Sequence, residues 1–184
     1  MTRGLGQRVA VVGTTGSGKT TLAGHIARCL GVPHVELDAL YWGPDWTPAP
    51  VDLFRARVDR ALSGDAWVVD GNYSAVRDIV WSRASAVVWL DYVLLVVMAQ
   101  LVWRTFRRGI TREELWHGNR ESLCRSLLSR DSILLWALRT YRRRRREYPA
   151  LFNRPEYAHL AVVHLRSPRA ARAWRLGWSL EPIT

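Results

Sequence analysis

The chain has 184 residues, of which 48% are hydrophobic, and this length favours a single domain with a substantial core. Cys29 and Cys124 have neither metal-binding nor disulfide spacing, and no secretory signal pattern precedes the first apolar run, so we expect a cytoplasmic protein with reduced thiols. The formal net charge of +11 permits an anionic partner, namely a nucleotide, a nucleic acid or anionic lipid.

The first predicted elements are a strand, a glycine-rich loop and a helix. Residues 8–12 read RVAVV, typical of a buried parallel strand, and apolar residues recur at helical spacing from Thr21 to Leu30. Residues 13–20 between them have the P-loop spacing G-x-x-x-x-G-K-[ST], whose amides surround a phosphate at a helix N-terminus. The predicted nucleotide-binding residues are Gly13, Thr14, Thr15, Gly16, Ser17, Gly18, Lys19, Thr20 and Thr21.

Lys19 is the only lysine among 27 basic residues, because all the others are arginines. The planar fork of arginine cannot replace a slim ammonium at every site, so the exception indicates a specific task for Lys19. In a P-loop that task is to reach the β- and γ-phosphates, and the hydroxyl of Thr20 is expected to bind Mg²⁺. The motif therefore predicts that nucleotide phosphates and Mg²⁺ bind here.

A second strand is predicted over residues 33–38, followed by an aromatic loop over residues 39–50. Asp38 is a candidate to accept a proton from a substrate hydroxyl or to orient that hydroxyl; the alternative is an aspartate of a turn or cap. Tyr41, Trp42 and Trp46 are candidates to stack on a ring of a second substrate, although core filling explains each of them equally well.

Two further strand ends carry an aspartate that would suit Mg²⁺ in a P-loop protein. Residues 51–63 form an amphipathic helix pattern, residues 66–70 a third strand and residues 86–91 a fourth. Asp70 and Asp91 end the last two strands, where ligands of parallel sheets gather. We favour Asp70 as the metal ligand because Gly71 follows it. The alternative for Asp91 is a helix cap, and mutation of each aspartate to Asn would decide between them.

An apolar helix is predicted from Val93 to about Arg108, followed by a polar lid loop over residues 109–122. Asp91 and Gln100 interrupt the apolar stretch, so we do not expect a membrane span. Arg104 and Arg108 share a helix face, and Arg112 lies in the loop. We predict that these three arginines stabilise charge in a phosphoryl-transfer transition state, the alternative being a solvated basic face.

The rest of the chain predicts a helix over residues 132–148, a fifth strand over 160–165 and a last helix over 168–177. The arginine run 142–146 covers all sides of its helix, so we interpret it mainly as surface, the alternative being contact with nucleic acid. Strands alternating with helices predict an α/β fold with a five-stranded parallel sheet between two helical layers.

Together these segments resemble the adenylate-kinase-related P-loop proteins often labelled topology-modulation proteins. The matching segments are GTTGSGKTTLA, LDALYW, WVVDGNYS, VVWLD with the following helix, and LRSPRAARAW. The resemblance implies a nucleoside-kinase-like P-loop fold with sheet order 2-3-1-4-5, and ATP and Mg²⁺ at residues 13–21. It also implies adenine packing near Arg166 and Arg169, and residues 70–73 beside the acceptor pocket, which makes Asn72 and Tyr73 substrate candidates.

Three functions follow from these residues. The leading hypothesis is a kinase that transfers the γ-phosphoryl group of ATP to a small acceptor, with Asp38 and Arg77 orienting the acceptor. The second is a nucleic-acid-binding regulator that uses ATP as a switch, which is not favoured because the sequence has no recognised nucleic-acid-binding motif. The third is a general ATPase. The acceptor and the oligomeric state are not evident from the sequence.

Overall fold

The computed structural model describes residues 6–111, 114–119 and 133–177. Its centre is a five-stranded parallel sheet in the order β2-β3-β1-β4-β5, which confirms the predicted fold and strand order. The strands are β1 (Arg8–Gly13), β2 (His34–Glu36), β3 (Trp67–Asp70), β4 (Ala86–Leu90) and β5 (Ala161–Leu165). Because β1 lies in the middle, the loop that follows it opens at the centre of the sheet edge where ligands of such folds bind.

Helices cover both faces of this sheet. They are α1 (Lys19–Leu30), α2 (Leu37–Tyr41), α3 (Val51–Ala61), α4 (Arg77–Arg83), α5 (Leu94–Thr111), α6 (Ile133–Phe152) and α7 (Pro168–Leu176). None of the helices within the described ranges is long and apolar enough to cross a bilayer.

The alternation of side chains along the strands divides the core into two layers. On one face, Val9 and Val11 pack with residues of α1, α5 and α7. On the other, Ala10 and Val12 pack with residues of α3, α4 and α6. Since neither face of the central strands is open to water, these strands read as continuous apolar runs rather than as alternating ones.

The structure corrects several predicted boundaries. Strand β2 ends at Glu36, and Asp38 lies in the first turn of α2, a short helix that the sequence pattern did not reveal. Helix α4 also received no prediction. Helix α5 continues through the predicted start of the lid loop to Thr111, whose hydroxyl donates to the carbonyl of Arg107 at 3.0 Å. Polarity alone therefore misplaced the end of the helix.

Candidate active site

The loop between β1 and α1 has the compact form that a P-loop requires. The amide of Ser17 donates to the carbonyl of Thr14 at 3.1 Å, closing a turn. Gly16 has a φ of +83°, and a Cβ atom there would lie 2.9 Å from Cβ of Leu101. Glycine at this position therefore serves both the left-handed backbone and the close packing of α5 against the loop.

Lys19 occupies the first position of α1 and lies partly buried behind this loop. Its ammonium donates to the carbonyl of Thr14 at 3.3 Å. The pKa of Lys19 is lowered to about 8, mainly by burial; Asp70 and Asp38 oppose this decrease, whereas Arg144 and Arg104 contribute to it. The site therefore stabilises the charged lysine poorly by itself, and an anionic ligand would supply the missing stabilisation.

The loop also contains a polar group whose environment fits a bound phosphate. The side chain of Ser17 is buried, and within the described ranges its Oγ atom has no hydrogen-bond partner. A buried hydroxyl without a partner costs free energy unless a ligand or water satisfies it. The loop geometry, the lysine and this hydroxyl together fit the phosphates of ATP.

Two oxygen donors suited to Mg²⁺ meet at the end of β3. The hydroxyl of Thr20 donates to Oδ1 of Asp70 at 3.2 Å, and Nε2 of His34 lies 2.8 Å from Oδ2 of the same carboxylate. Mg²⁺ prefers such hard oxygen donors and completes its shell with water and substrate phosphates. The described residues contain no group of three or more His, Cys, Asp or Glu side chains that could hold a metal ion. The Thr20 hydroxyl and the Asp70 carboxylate have the donor chemistry that Mg²⁺ prefers.

Asp91 has a different environment. Its side chain is buried, and its two carboxylate oxygens lie 2.9 Å from Nε of Arg145 and 2.9 Å from Nε2 of His164. The ring of His164 stacks on Trp89, with ring centroids 4.1 Å apart. Asp91 thus connects β4 to α6 and β5 and makes its contacts away from Thr20.

Asn72 connects the P-loop to helix α6. Its Nδ2 donates to the carbonyl of Gly13, and its Oδ1 accepts from the amide of Gly13 at 3.1 Å and from the hydroxyl of Tyr148 at 3.0 Å. Because both ends of the amide are engaged, these contacts favour a positioning role for Asn72 over direct contact with a substrate.

A carboxylate–phenol pair joins helix α2 to the segment that follows β3. The hydroxyl of Tyr73 donates to Oδ1 of Asp38 at 2.6 Å. Burial raises the pKa of Tyr73, and the charge of Asp38 raises it further, so the phenol stays protonated and donates. This hydrogen bond engages one of the two carboxylate oxygens of Asp38.

The aromatic residues next to this pair pack mainly on one another. The ring of Tyr41 lies 4.7 Å from Tyr73, 5.1 Å from Phe54 and 4.9 Å from Trp42, and Trp46 packs on Trp42 at 5.8 Å. Tyr41, Trp42 and Trp46 are all partly buried. These ring contacts, and the packing of Tyr41 against the core on that face of the sheet, fit the core-filling alternative.

Part of the predicted lid contacts this aromatic loop. Oδ1 of Asn119 accepts from the amide of Trp46 at 3.1 Å, and its Nδ2 donates to the carbonyl of Gly43 at 2.8 Å. His117 and Trp46, one on each side of this contact, have positive φ angles of 58° and 57°. Such backbone conformations persist only where neighbouring contacts hold them, and Asn119, which the sequence analysis did not identify, supplies those contacts.

The predicted arginines differ in their positions. Arg104 extends from α5 close enough to Lys19 to lower the pKa of that lysine, and Arg108 is partly buried one turn later. Arg112 lies outside the described residues. Arg166 and Arg169 follow β5 and are exposed, with α7 beginning between them.

Arg144 is a candidate that sequence reasoning missed. The run 142–146 was interpreted as surface, but Arg144 is only 5% exposed and also lowers the pKa of Lys19. Burial in turn lowers the pKa of Arg144 itself. Tyr141, Arg144, Tyr148 and Leu151 are all buried on α6, so their helical spacing was the signal that could have found it.

A groove of about 400 Å³ opens between α4 and the second half of α6. Its lining includes three arginines, Arg77, Arg143 and Arg154, with Glu147 as the single carboxylate. Arg77 also lines a smaller cavity beside Asn72 and Tyr73. Arg77 therefore lines both cavities, and its guanidinium lies over the ring of Trp81, 5.4 Å from the ring centroid.

No protein-family model matches the chain, and no curated protein matches it. Solved structures, in contrast, do match the chain. The shikimate kinase of Bacteroides thetaiotaomicron aligns with a TM-score of 0.54 and 15% identity, over 92% of this chain and 94% of that protein. A gluconokinase of Sinorhizobium meliloti 1021 aligns at 0.51 and 21% identity, over 94% and 93%.

A shikimate kinase of Acinetobacter baumannii, solved in complex with shikimate, aligns at a TM-score of 0.51 and 21% identity, over 92% of this chain and 88% of that protein. Each alignment covers almost the full length of both chains. The protein therefore has the fold of the P-loop kinases.

Proposed function

We propose that this protein is an ATP-dependent kinase that transfers a phosphoryl group to a small-molecule acceptor. The observation that carries the proposal is the arrangement of two chemically distinct sides around one cleft. Lys19 and the Thr20–Asp70 pair suit a nucleotide with Mg²⁺, and the Asp38–Tyr73 pair suits a hydroxyl group. A general ATPase would not need the second side.

In the proposed reaction the acceptor oxygen forms a bond to the γ-phosphorus, and the bond from that phosphorus to the β,γ-bridging oxygen of ATP breaks. Asp38 takes the proton of the acceptor hydroxyl, and ADP leaves with the bridging oxygen. Mg²⁺, when bound through Thr20 and Asp70, would neutralise charge on the phosphates. Lys19 and the loop amides hold these phosphates, so most of the catalysis is positioning and charge stabilisation.

Arginines supply the remaining positive charge. The charges of Arg104 and Arg144 both lower the pKa of Lys19, and we assign these two arginines to the transferring phosphoryl group. Arg108 at the end of α5 and Arg112 in the lid would contribute further positive charge. Arg166 and Arg169 would pack against the adenine. Arg77, at the edge of the arginine-lined groove, would hold an anionic part of the acceptor. We also propose that this chain is related to the topology-modulation proteins, which its sequence segments resemble.

The test is a panel of nucleosides, nucleotides, sugar acids and small alcohols, scored by ADP release with ATP and Mg²⁺. A kinase gives release that rises well above the basal rate with one class of compound and yields a phosphorylated product by mass spectrometry. Lys19→Ala is the control and should remove the response. A rate of ADP release that no acceptor changes, with inorganic phosphate as the only other product, would contradict the kinase proposal and favour a general ATPase.

The nucleic-acid-binding alternative is not favoured. Binding through arginine–phosphate contacts would weaken steeply as the salt concentration rises, so a filter-binding series with duplex DNA tests it directly.

A further inference from the structure

Helix α5 has a solvent-exposed apolar face in addition to its buried one. The buried face includes Val97, Leu101 and Thr105, each with no accessible surface. The opposite face, here called the α5 stripe, is formed by Leu95, Ala99, Val102, Trp103, Phe106 and Ile110. The exposed fractions are 80% for Leu95, 68% for Trp103, 63% for Ile110, 51% for Phe106 and 44% for Val102.

The α5 stripe is continuous along the helix. Its residues recur every three or four positions, which aligns them on one side of an α-helix, over about 22 Å at 1.5 Å per residue. Single exposed apolar side chains are ordinary, whereas a contiguous row that includes Trp and Phe marks an interaction surface. The surface is separate from the candidate active site, because the P-loop contacts α5 through Leu101 and Val97 on the other face.

The charges near the stripe indicate the kind of partner. Helix α5 has no acidic residue, and among its three arginines Arg107 is the exposed one, whereas Arg104 and Arg108 are partly buried. Helix α6, which packs against α5, exposes further arginines and has Glu147 as the only acidic residue of its sequence. A second copy would therefore bring arginines against arginines, which disfavours self-association through this face.

An anionic partner satisfies these charges, and the apolar residues distinguish among anionic partners. Nucleic acid offers phosphates and base faces but no apolar phase that would reward exposed Leu, Val and Ile. The boundary of an anionic bilayer offers both components, since aliphatic and aromatic side chains enter the acyl region while arginines remain among the headgroups.

We propose that the protein binds the surface of anionic membranes through the α5 stripe, with α5 lying parallel to the bilayer plane. Leu95, Trp103 and Phe106 enter the boundary between headgroups and acyl chains, and Arg107 at the flank contacts lipid phosphates. The proposal does not depend on the kinase activity. It adds a location for the protein, with the candidate active site held close to a membrane surface.

The test is flotation of the full-length protein with vesicles of phosphatidylglycerol and phosphatidylcholine, compared with vesicles of phosphatidylcholine alone. We expect binding to the anionic vesicles, weaker binding at raised salt, and a loss of about tenfold or more in partitioning for Trp103→Glu/Phe106→Glu. Arg107→Gln should reduce binding several-fold on the anionic vesicles.

Leu53→Glu is the matched control, because Leu53 is a similarly exposed apolar residue, at 45%, on helix α3 away from the stripe. It should bind vesicles as the unmodified protein does. Far-UV circular dichroism and nucleotide affinity, unchanged in all variants, would show that the fold is intact. An equal loss of vesicle binding in Leu53→Glu and in Trp103→Glu/Phe106→Glu, or no binding to anionic vesicles at low salt, would overturn the proposal. So would self-association that Trp103→Glu/Phe106→Glu abolishes while vesicle binding is absent.

Discussion

The two sides of the candidate active site are built in different ways. The proposed phosphate-binding residues are almost continuous in the sequence, from Gly13 through Thr21, and Asp70 joins them from the end of β3 through its hydrogen bond to Thr20. The acceptor side combines residues from distant segments: Asp38 bonds to Tyr73, and Trp46 bonds to Asn119, 73 positions away. A local motif can bind the common cofactor of many kinases, whereas long-range contacts decide which acceptor fits.

The largest expected effect comes from the centre of the nucleotide side. Lys19→Ala should reduce phosphoryl transfer by on the order of a thousandfold, since it removes the cation at the β- and γ-phosphates. Lys19→Arg is the sharper variant, because this chain uses arginine at every other basic position. It should also fail, as the broad guanidinium does not fit the space of the ammonium. Full activity of Lys19→Arg, measured as product formation, would contradict the special role of this lysine.

A second comparison separates the two buried aspartates. Asp70→Asn should lower Mg²⁺-dependent turnover by about a hundredfold, because one charged ligand beside Thr20 is lost. Asp91→Asn should leave the affinity for Mg²⁺-nucleotide nearly unchanged and instead lower the free energy of unfolding by about 1–3 kcal/mol, since Arg145 and His164 lose their charged partner. Titration calorimetry and urea unfolding measure the two quantities. A fall in Mg²⁺-nucleotide affinity for Asp91→Asn alone would reverse the assignment.

A smaller effect on turnover is expected for Arg144 on helix α6. Arg144→Gln should reduce kcat by about ten- to a hundredfold, because a buried cation near the transferring group is removed. Arg146→Gln is the matched control: the same substitution, two residues away on the exposed side of the helix. Steady-state kinetics at saturating ATP compares them. Similar rates for both variants would show that burial of Arg144 serves the fold rather than the reaction.

These contrasts also explain how far the sequence could be interpreted. The sheet and the P-loop were predictable, because buried parallel strands are uninterrupted apolar runs and the loop has a fixed spacing. Helix α2 was missed because its five residues are too few for a helical period. The position of Arg144 depended on which face of α6 meets the sheet, and the contacts of Asn119 depended on chain segments that meet only in the folded protein.

The weakest of the expected effects concerns pH and separates binding from chemistry on the nucleotide side. Burial lowers the pKa of Lys19 from 10.5 to about 8 in the ligand-free protein, and bound phosphates raise it again. Below pH 8 the lysine is already charged, so affinity for nucleotide should not change with pH. Above pH 8 binding must take up a proton, and Kd should rise by up to about tenfold per pH unit.

Over the same range, loss of the poorly solvated charge relieves a cost to the folded state, so the stability contribution of Lys19 improves as its nucleotide affinity declines. In Lys19→Gln nothing titrates at this position, and the weaker residual affinity should be flat from pH 7 to about 9.5; the same slope in both proteins would assign the pH dependence to another group.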